Sequence, residues 1–199
     1  MASALSDQNV LDDTPPVAVK IVIGGGFGAG KTTFVSAISE TMPLLTEEYL
    51  TDRSIGIDSL AEVEHKGTTT IVMDFGRITI NHNLVLYLFG TPGQDRFLFL
   101  WDELALGSVG AVVVADTRRL AECFPSVDYF ERRHLPFVVA VNCFDGARRY
   151  HPVDVRSALD LDPGVPVLLC DARERDSAKE VLIAVVERAM ATLRGIQAA

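Results

Sequence analysis

The 199-residue chain is poor in basic residues, in cysteine and in long apolar runs, and each shortage excludes a class of function. Lys plus Arg number 18 against 27 Asp plus Glu, a formal charge of −9. A nucleic-acid binder needs a clustered basic face, which this balance argues against. No apolar run reaches the roughly 18 to 20 residues that span a bilayer, since Leu84–Phe89 and Ala111–Ala115 are only strand-length. The opening MASALSDQNV has neither the basic start nor the apolar stretch of a signal peptide, position 2 is Ala rather than a myristoylatable Gly, and the final GIQAA holds no lipidation cysteine. Three widely spaced cysteines (Cys123, Cys143, Cys170) make neither a disulfide framework nor a metal knot, which points to a reducing, cytoplasmic setting. With 48% hydrophobic residues the chain can bury one core, so one compact domain is expected.

Residues 1–16 are polar, acidic and end in Thr14-Pro15-Pro16, the composition of a flexible leader; the domain proper is expected over 17–199. From Val17 onward short apolar runs alternate with helical stretches, the pattern of an α/β protein with a mostly parallel sheet. The runs Val17–Ile23, Ile71–Phe75 continuing through Ile78–Ile80, Leu84–Phe89, Val109–Ala115, Phe137–Val141 and Val167–Leu169 predict six strands. Helices are predicted at about Lys31–Thr41, Arg118–Arg133, Val153–Leu159 and Ser177–Leu193. Only Asn81-His82-Asn83 separates the second run from the third, too short for a crossover helix, so one strand must run antiparallel.

Gly25 through Thr32 satisfies G-x-x-x-x-G-K-[ST] between a buried strand and an amphipathic helix. Such a loop turns successive N–H groups toward phosphate oxygens, and the helix N-terminus adds partial positive charge. Phe27, Gly28, Ala29, Gly30, Lys31, Thr32 and Thr33 are therefore the expected phosphate-binding residues, with Lys31 reaching the β- and γ-phosphates and the Thr32 hydroxyl ligating Mg²⁺.

Base choice is expected past the fifth and sixth strands. In Asn142-Cys143-Phe144-Asp145 the Asp145 carboxylate can accept both N1–H and N2–H₂ of guanine, donors that adenine lacks on that edge, while Asn142 braces the loop. In Cys170-Asp171-Ala172-Arg173 a backbone N–H, best that of Ala172, can meet guanine O6. Read alone, Asp145 before Gly146 is also a common turn pair.

These motifs stand in the order and at the separations of small Ras-like GTPases, over residues 17–194. G-G-F-G-A-G-K-T-T-F, T-T-T-I-V-M-D-F-G-R-I and F-G-T-P-G-Q-D-R-F-x-F-x-W-D-E-L more closely resemble the bacterial small GTPases of actinobacterial conservon operons (the CvnD type), relatives of the gliding-motility GTPase MglA. The resemblance implies a three-layer P-loop G domain acting as a cytoplasmic GTP/GDP switch with Mg²⁺. It also implies a roadblock-fold regulator and a membrane sensor kinase of the same operon as partners, any membrane recruitment coming through them. By residue, it makes Thr70 (or Thr69) the switch I metal ligand, Gly93 the γ-phosphate sensor and Gln94 the residue that orients the attacking water, with Lys31 stabilising charge.

Three positions depart from that family. Gly90 stands where a metal-supporting Asp ordinarily ends the strand, Cys143 replaces the lysine of N-K-x-D, and Phe27 is bulky where a small residue usually flanks the γ-phosphate. Weak intrinsic hydrolysis is expected, and a non-hydrolysing nucleotide-binding scaffold is the alternative. A P-loop kinase fits less well, because the short hairpin and the Asn142/Asp145 pair suit a G domain. A compensating metal residue is expected from register: if Asn81-His82-Asn83 is a three-residue turn with Ile80 opposite Leu84, paired numbers sum to 164 and Asp74 lies opposite Gly90, on the same face. Met42–Thr69 reads as a long switch I, with a short helix near Glu47–Arg53. Arg96–Leu104, which holds the only tryptophan, reads either as a buried helix or as a partner surface uncovered in one nucleotide state.

Overall fold

The computed structural model describes residues 15–41, 46–50, 69–93 and 98–197. Its elements are β1 (Val17–Gly24), α1 (Lys31–Ile38), β2 (Thr46–Leu50), β3 (Thr69–Met73), β4 (Phe75–Asn81), β5 (Leu84–Gly90), α2 (Leu98–Ala105), β6 (Gly110–Ala115), a 3-10 segment (Thr117–Cys123), α3 (Phe124–Arg132), β7 (Phe137–Asn142), α4 (Pro152–Ala158), β8 (Val167–Cys170) and α5 (Arg175–Gln197). The six-stranded sheet has the order β4-β5-β1-β6-β7-β8, and only β4 runs antiparallel to its neighbour. β6 and β7 are buried at every residue, as strands covered on both faces must be. Ile21, Ile23, Val112, Val114, Val138 and Ala140 meet α1 and α5 on one face. Val22, Val113, Val139 and Val141 meet Trp101, Phe130, Val155 and Leu159 on the other. The result is the expected three-layer arrangement.

Two departures from the sequence expectation lie between α1 and β5. The run Ile71–Ile80 is not one strand: it breaks at Asp74, with β3 pairing antiparallel to β2 in a separate two-stranded sheet and β4 joining the main sheet. Residues 46–50 are accordingly a strand, not the start of a helix. A short isolated helix has little intrinsic stability, whereas the ladder from Thr46↔Met73 to Leu50↔Thr69 satisfies the backbone of both segments. The rest of the expected switch I, at 42–45 and 51–68, lies outside the described residues, as does the leader to residue 14.

The hairpin turn also differs. Asn81, not Ile80, pairs with Leu84, and the irregularity between Thr79 and Asn81 absorbs one residue. From Phe75↔Phe89 to Thr79↔Val85 the paired numbers still sum to 164. The predicted helix Arg118–Arg133 divides, because Arg119 has non-helical backbone angles (φ −142°, ψ 48°) and Pro125 opens α3. No helix among the described residues is long and apolar enough to cross a membrane.

Candidate functional site

The phosphate loop leaves β1 at the C-terminal edge of the parallel strands, and two of its glycines are sterically required. At Gly25 (φ +130°) a Cβ would stand 2.2 Å from the Val114 carbonyl oxygen. At Gly30 (φ +105°), the residue just before α1, it would stand 2.4 Å from Asn142 Nδ2. The loop is fixed from outside as well: the Gly25 N–H donates to Ser126 Oγ at 2.9 Å, from α3. Lys31 is buried and curls over the loop, its Nζ donating to the carbonyls of Gly25 and Gly26 at 2.8 Å each. Burial pushes its ammonium down to about 8.

Asp74 closes the side of the loop where Thr32 begins α1 with Lys31. It lies opposite Gly90, whose N–H donates to the Asp74 carbonyl at 2.8 Å, and its Oδ2 accepts from Thr32 Oγ1 at 2.9 Å. Its Oδ1 is buried with no hydrogen-bond partner. Burial raises its carboxyl above the ordinary value, opposed by the Thr32 hydrogen bond and by Lys31. The expected pairing with Gly90 is thus present, although the turn from which it was reasoned differs.

Gly93 abuts the same loop. A Cβ there would lie 2.8 Å from Lys31 Nζ and 2.9 Å from Phe27 Cα, so the chain after β5 runs directly against Phe27 and Lys31. The Phe27 side chain stands mostly in solvent. Thr69 and Thr70 lie in β3, but their side chains fall outside the described residues, as does Gln94 entirely. Trp101 takes the buried alternative: it is 3% exposed, stacks near Phe130 and donates from Nε1 to the Pro92 carbonyl at 3.3 Å. Phe99 and Leu106 on or beside the same helix are exposed.

Asn142 joins the phosphate loop to the loop after β8. Its Nδ2 donates to the Ala29 carbonyl at 3.0 Å and its Oδ1 accepts from the Ala172 N–H at 3.2 Å. The Ala172 N–H, expected to face guanine O6, therefore already has a partner, at the long end of hydrogen-bond distances. Asp145 is exposed and pairs with Arg173, whose guanidinium also pairs with Asp171.

The sequence reading missed the loop after β6. Arg119 Nη2 donates to the Phe27 carbonyl at 2.9 Å and lies 3.6 Å from Asp116, while Nη1 pairs with Glu122 at 3.2 Å. Arg118 forms a two-bond pair with buried Asp116 and lies over the Phe144 ring, 3.9 Å from its centroid. A cationic side chain from the loop after β6 thus braces the phosphate loop. The signal was available: Asp116-Thr117-Arg118-Arg119 follows the strand next to β1 at the edge where α/β proteins bind ligands. A separate cavity of about 560 Å³, lined by Val19, Ile38, Ile78, Leu86, Leu182 and Val186, lies under α5 away from these loops.

Among solved structures, the chain resembles the G domain of the T. maritima FeoB iron transporter, with TM-score 0.60, 18% identity, and 87% of this chain and 99% of that one covered. The FeoB cytosolic domain in its GMPPNP form matches with TM-score 0.61 at 16% identity, over 86% of this chain and 64% of that one. An uncharacterized protein of Methanocaldococcus jannaschii, MJ1339, is 30% identical over 129 residues, which are 64% of this chain and 71% of that protein. Residues 22–192 match the family described as conserved hypothetical ATP binding proteins, and the chain belongs to that family.

Proposed function

We propose that the protein is a small guanine-nucleotide switch that hydrolyses GTP slowly to GDP and phosphate, with water as the attacking group. The observation that carries this is the pair of hydrogen bonds made by the Asn142 side-chain amide, which ties Ala29 of the phosphate loop to Ala172, the neighbour of the Arg173 that pairs with Asp145, so that the phosphate loop and the proposed base loops are joined. The family description names ATP. The guanine choice rests on this chain's own Asp145, a carboxylate that matches two donors on guanine and none on adenine. Lys31, released from the Gly25 and Gly26 carbonyls, would place its charge on the phosphates. Gln94, by resemblance, orients the water.

The residues present fit Mg²⁺. Thr32 spends its proton on Asp74 and keeps its lone pairs for a cation, while Asp74 Oδ1 is a buried carboxylate oxygen without a partner. Among the described residues no three His, Cys, Asp or Glu side chains gather into an independent metal site. Magnesium would therefore be held by Thr32 together with nucleotide oxygens, with Asp74 behind Thr32 and Thr70 as the switch I candidate. When bound, such an ion neutralises charge on the phosphate oxygens.

The conservon resemblance adds a roadblock-fold regulator and a sensor kinase as partners, which co-purification with the operon's products tests. For the nucleotide, the test is competition of GTP against ATP combined with single-turnover hydrolysis, on the native chain and on Asp145→Asn. The native chain should favour GTP, and the variant should lose roughly 2 to 4 kcal/mol of GTP affinity. Equal affinity for the two nucleotides in the native chain would overturn the proposal, and tight GTP binding without turnover would favour the non-hydrolysing scaffold.

A further inference from the structure

The Asp145 carboxylate is not bare. Arg173 Nη1 donates to its Oδ2 at 2.6 Å and Nη2 to its Oδ1 at 3.1 Å. With its other edge the same guanidinium donates to Asp171, Nε to Oδ1 at 2.9 Å and Nη2 to Oδ2 at 2.7 Å. The guanidinium thus lies between two carboxylates, presenting two N–H groups to each. Asp171 is well placed for this: its Oδ1 also accepts the Arg173 backbone N–H at 3.0 Å, and its own N–H donates to Ser177 Oγ at 3.0 Å.

The N1–C2–N2 edge of guanine is chemically a guanidine: two roughly parallel N–H donors on one carbon. A carboxylate receives such an edge by offering one oxygen to each donor, the bidentate geometry that arginine also uses. The same pair of Asp145 oxygens cannot hold both partners in that way at once. We infer that Arg173 is an internal surrogate for guanine on Asp145, which the incoming base must displace and which Asp171 retains when it leaves. The inference rests on the reading of Asp145 as the guanine acceptor. Arg173 thereby becomes a specificity-determining residue of an unusual sign: it lowers affinity for guanine nucleotides and leaves adenine nucleotides untouched, because adenine does not compete for that carboxylate. Since both side chains are substantially exposed and Arg173 keeps its Asp171 bonds, the opposing effect should be that of an exposed ion pair, about two- to fivefold in affinity.

The test uses the full chain with fluorescent GDP and ADP, measuring association rates and dissociation constants for the native protein, Arg173→Ala, Arg173→Lys, Asp145→Asn and the Arg173→Ala/Asp145→Asn pair. Arg173→Ala should bind GDP about two- to fivefold more tightly, with faster association, and leave ADP unchanged. Arg173→Lys keeps a charge but cannot present two parallel donors, and should also tighten GDP. In the Asp145→Asn background the Arg173 substitution should give no gain. Weaker GDP binding by Arg173→Ala, or an equal change for GDP and ADP, would overturn the surrogate role. If Asp145→Asn leaves the GDP-to-ADP ratio unchanged, the base assignment itself fails and this inference with it. If that ratio collapses while Arg173→Ala gains nothing, the surrogate role alone fails.

Discussion

Asp74 and Gly90 share one volume: a Cβ on Gly90 would stand 2.8 Å from both Cβ and Oδ2 of Asp74. The missing side chain at the end of β5 leaves room for the carboxylate at the break between β3 and β4 to reach Thr32. A side chain at Gly90 and the present position of Asp74 are therefore mutually exclusive.

Asp74→Ala should therefore speed nucleotide release in Mg²⁺ by about 10- to 100-fold, the usual cost of removing a group that supports a metal ligand. The effect should vanish in chelator. Adding Gly90→Asp to that variant should recover part of the retention, whereas Gly90→Ala alone should cost ~1–3 kcal/mol of stability by overpacking. Off-rates of fluorescent GDP, with and without chelator, and urea unfolding decide these points; identical off-rates in all variants would remove Asp74 from the metal site.

Arg119 holds the Phe27 carbonyl of the phosphate loop. Arg119→Ala should weaken GDP binding by ~1 kcal/mol, modest because the side chain is part-exposed. Cys143→Lys introduced into that variant should return most of the loss. Titration calorimetry with GDP measures both steps, and a loss that the lysine does not repair would mean the two cations serve different ends.

Trp101 is packed against Tyr129 and Phe130. Its replacement by Ala should cost ~3–5 kcal/mol, while Phe99→Ser, on the exposed side of the same helix, should stay within ~0.5 kcal/mol. Equilibrium urea unfolding separates the two. A small loss at Trp101 would mean that the helix is only loosely docked.

Tyr129 donates to Asp102 Oδ1 at 2.7 Å, linking α3 to α2. Burial, followed by that hydrogen bond, pushes its phenol up to about 12 from an ordinary 10. The native state thus holds a proton that the unfolded chain releases, so the stabilisation is complete below pH 10 and is lost as pH climbs through 12. In a near-ultraviolet absorbance titration a late tyrosine ionisation should appear, and Tyr129→Phe should remove it.

The parts that could be read from the chain were those whose cause is local. β6 and β7 announce themselves as unbroken apolar runs because both faces are covered. The phosphate loop is legible because its G-x-x-x-x-G-K-[ST] spacing, between a strand and a helix, is carried by one short segment. Asp74 opposite Gly90 was reachable by counting, since pairing in an antiparallel hairpin is arithmetic even when the turn is guessed wrongly. β2 was not legible, because Thr46–Leu50 becomes a strand only by finding Thr69–Met73 across an intervening segment. Nor were the Arg119–Phe27 and Arg173–Asp145 contacts, which join loops far apart in sequence and depend on strand order, a property that no single segment carries.

The indole of Trp101 donates to the carbonyl of Pro92, the residue before Gly93. Gly93 in turn packs against Phe27 and Lys31. As the only tryptophan of the chain, it dominates intrinsic emission. Any rearrangement of Pro92–Gly93 when a terminal phosphate arrives must alter that hydrogen bond and shift the emission. Under the proposed switch reading, Trp101 would be a built-in optical gauge of nucleotide state, readable without a label and in real time.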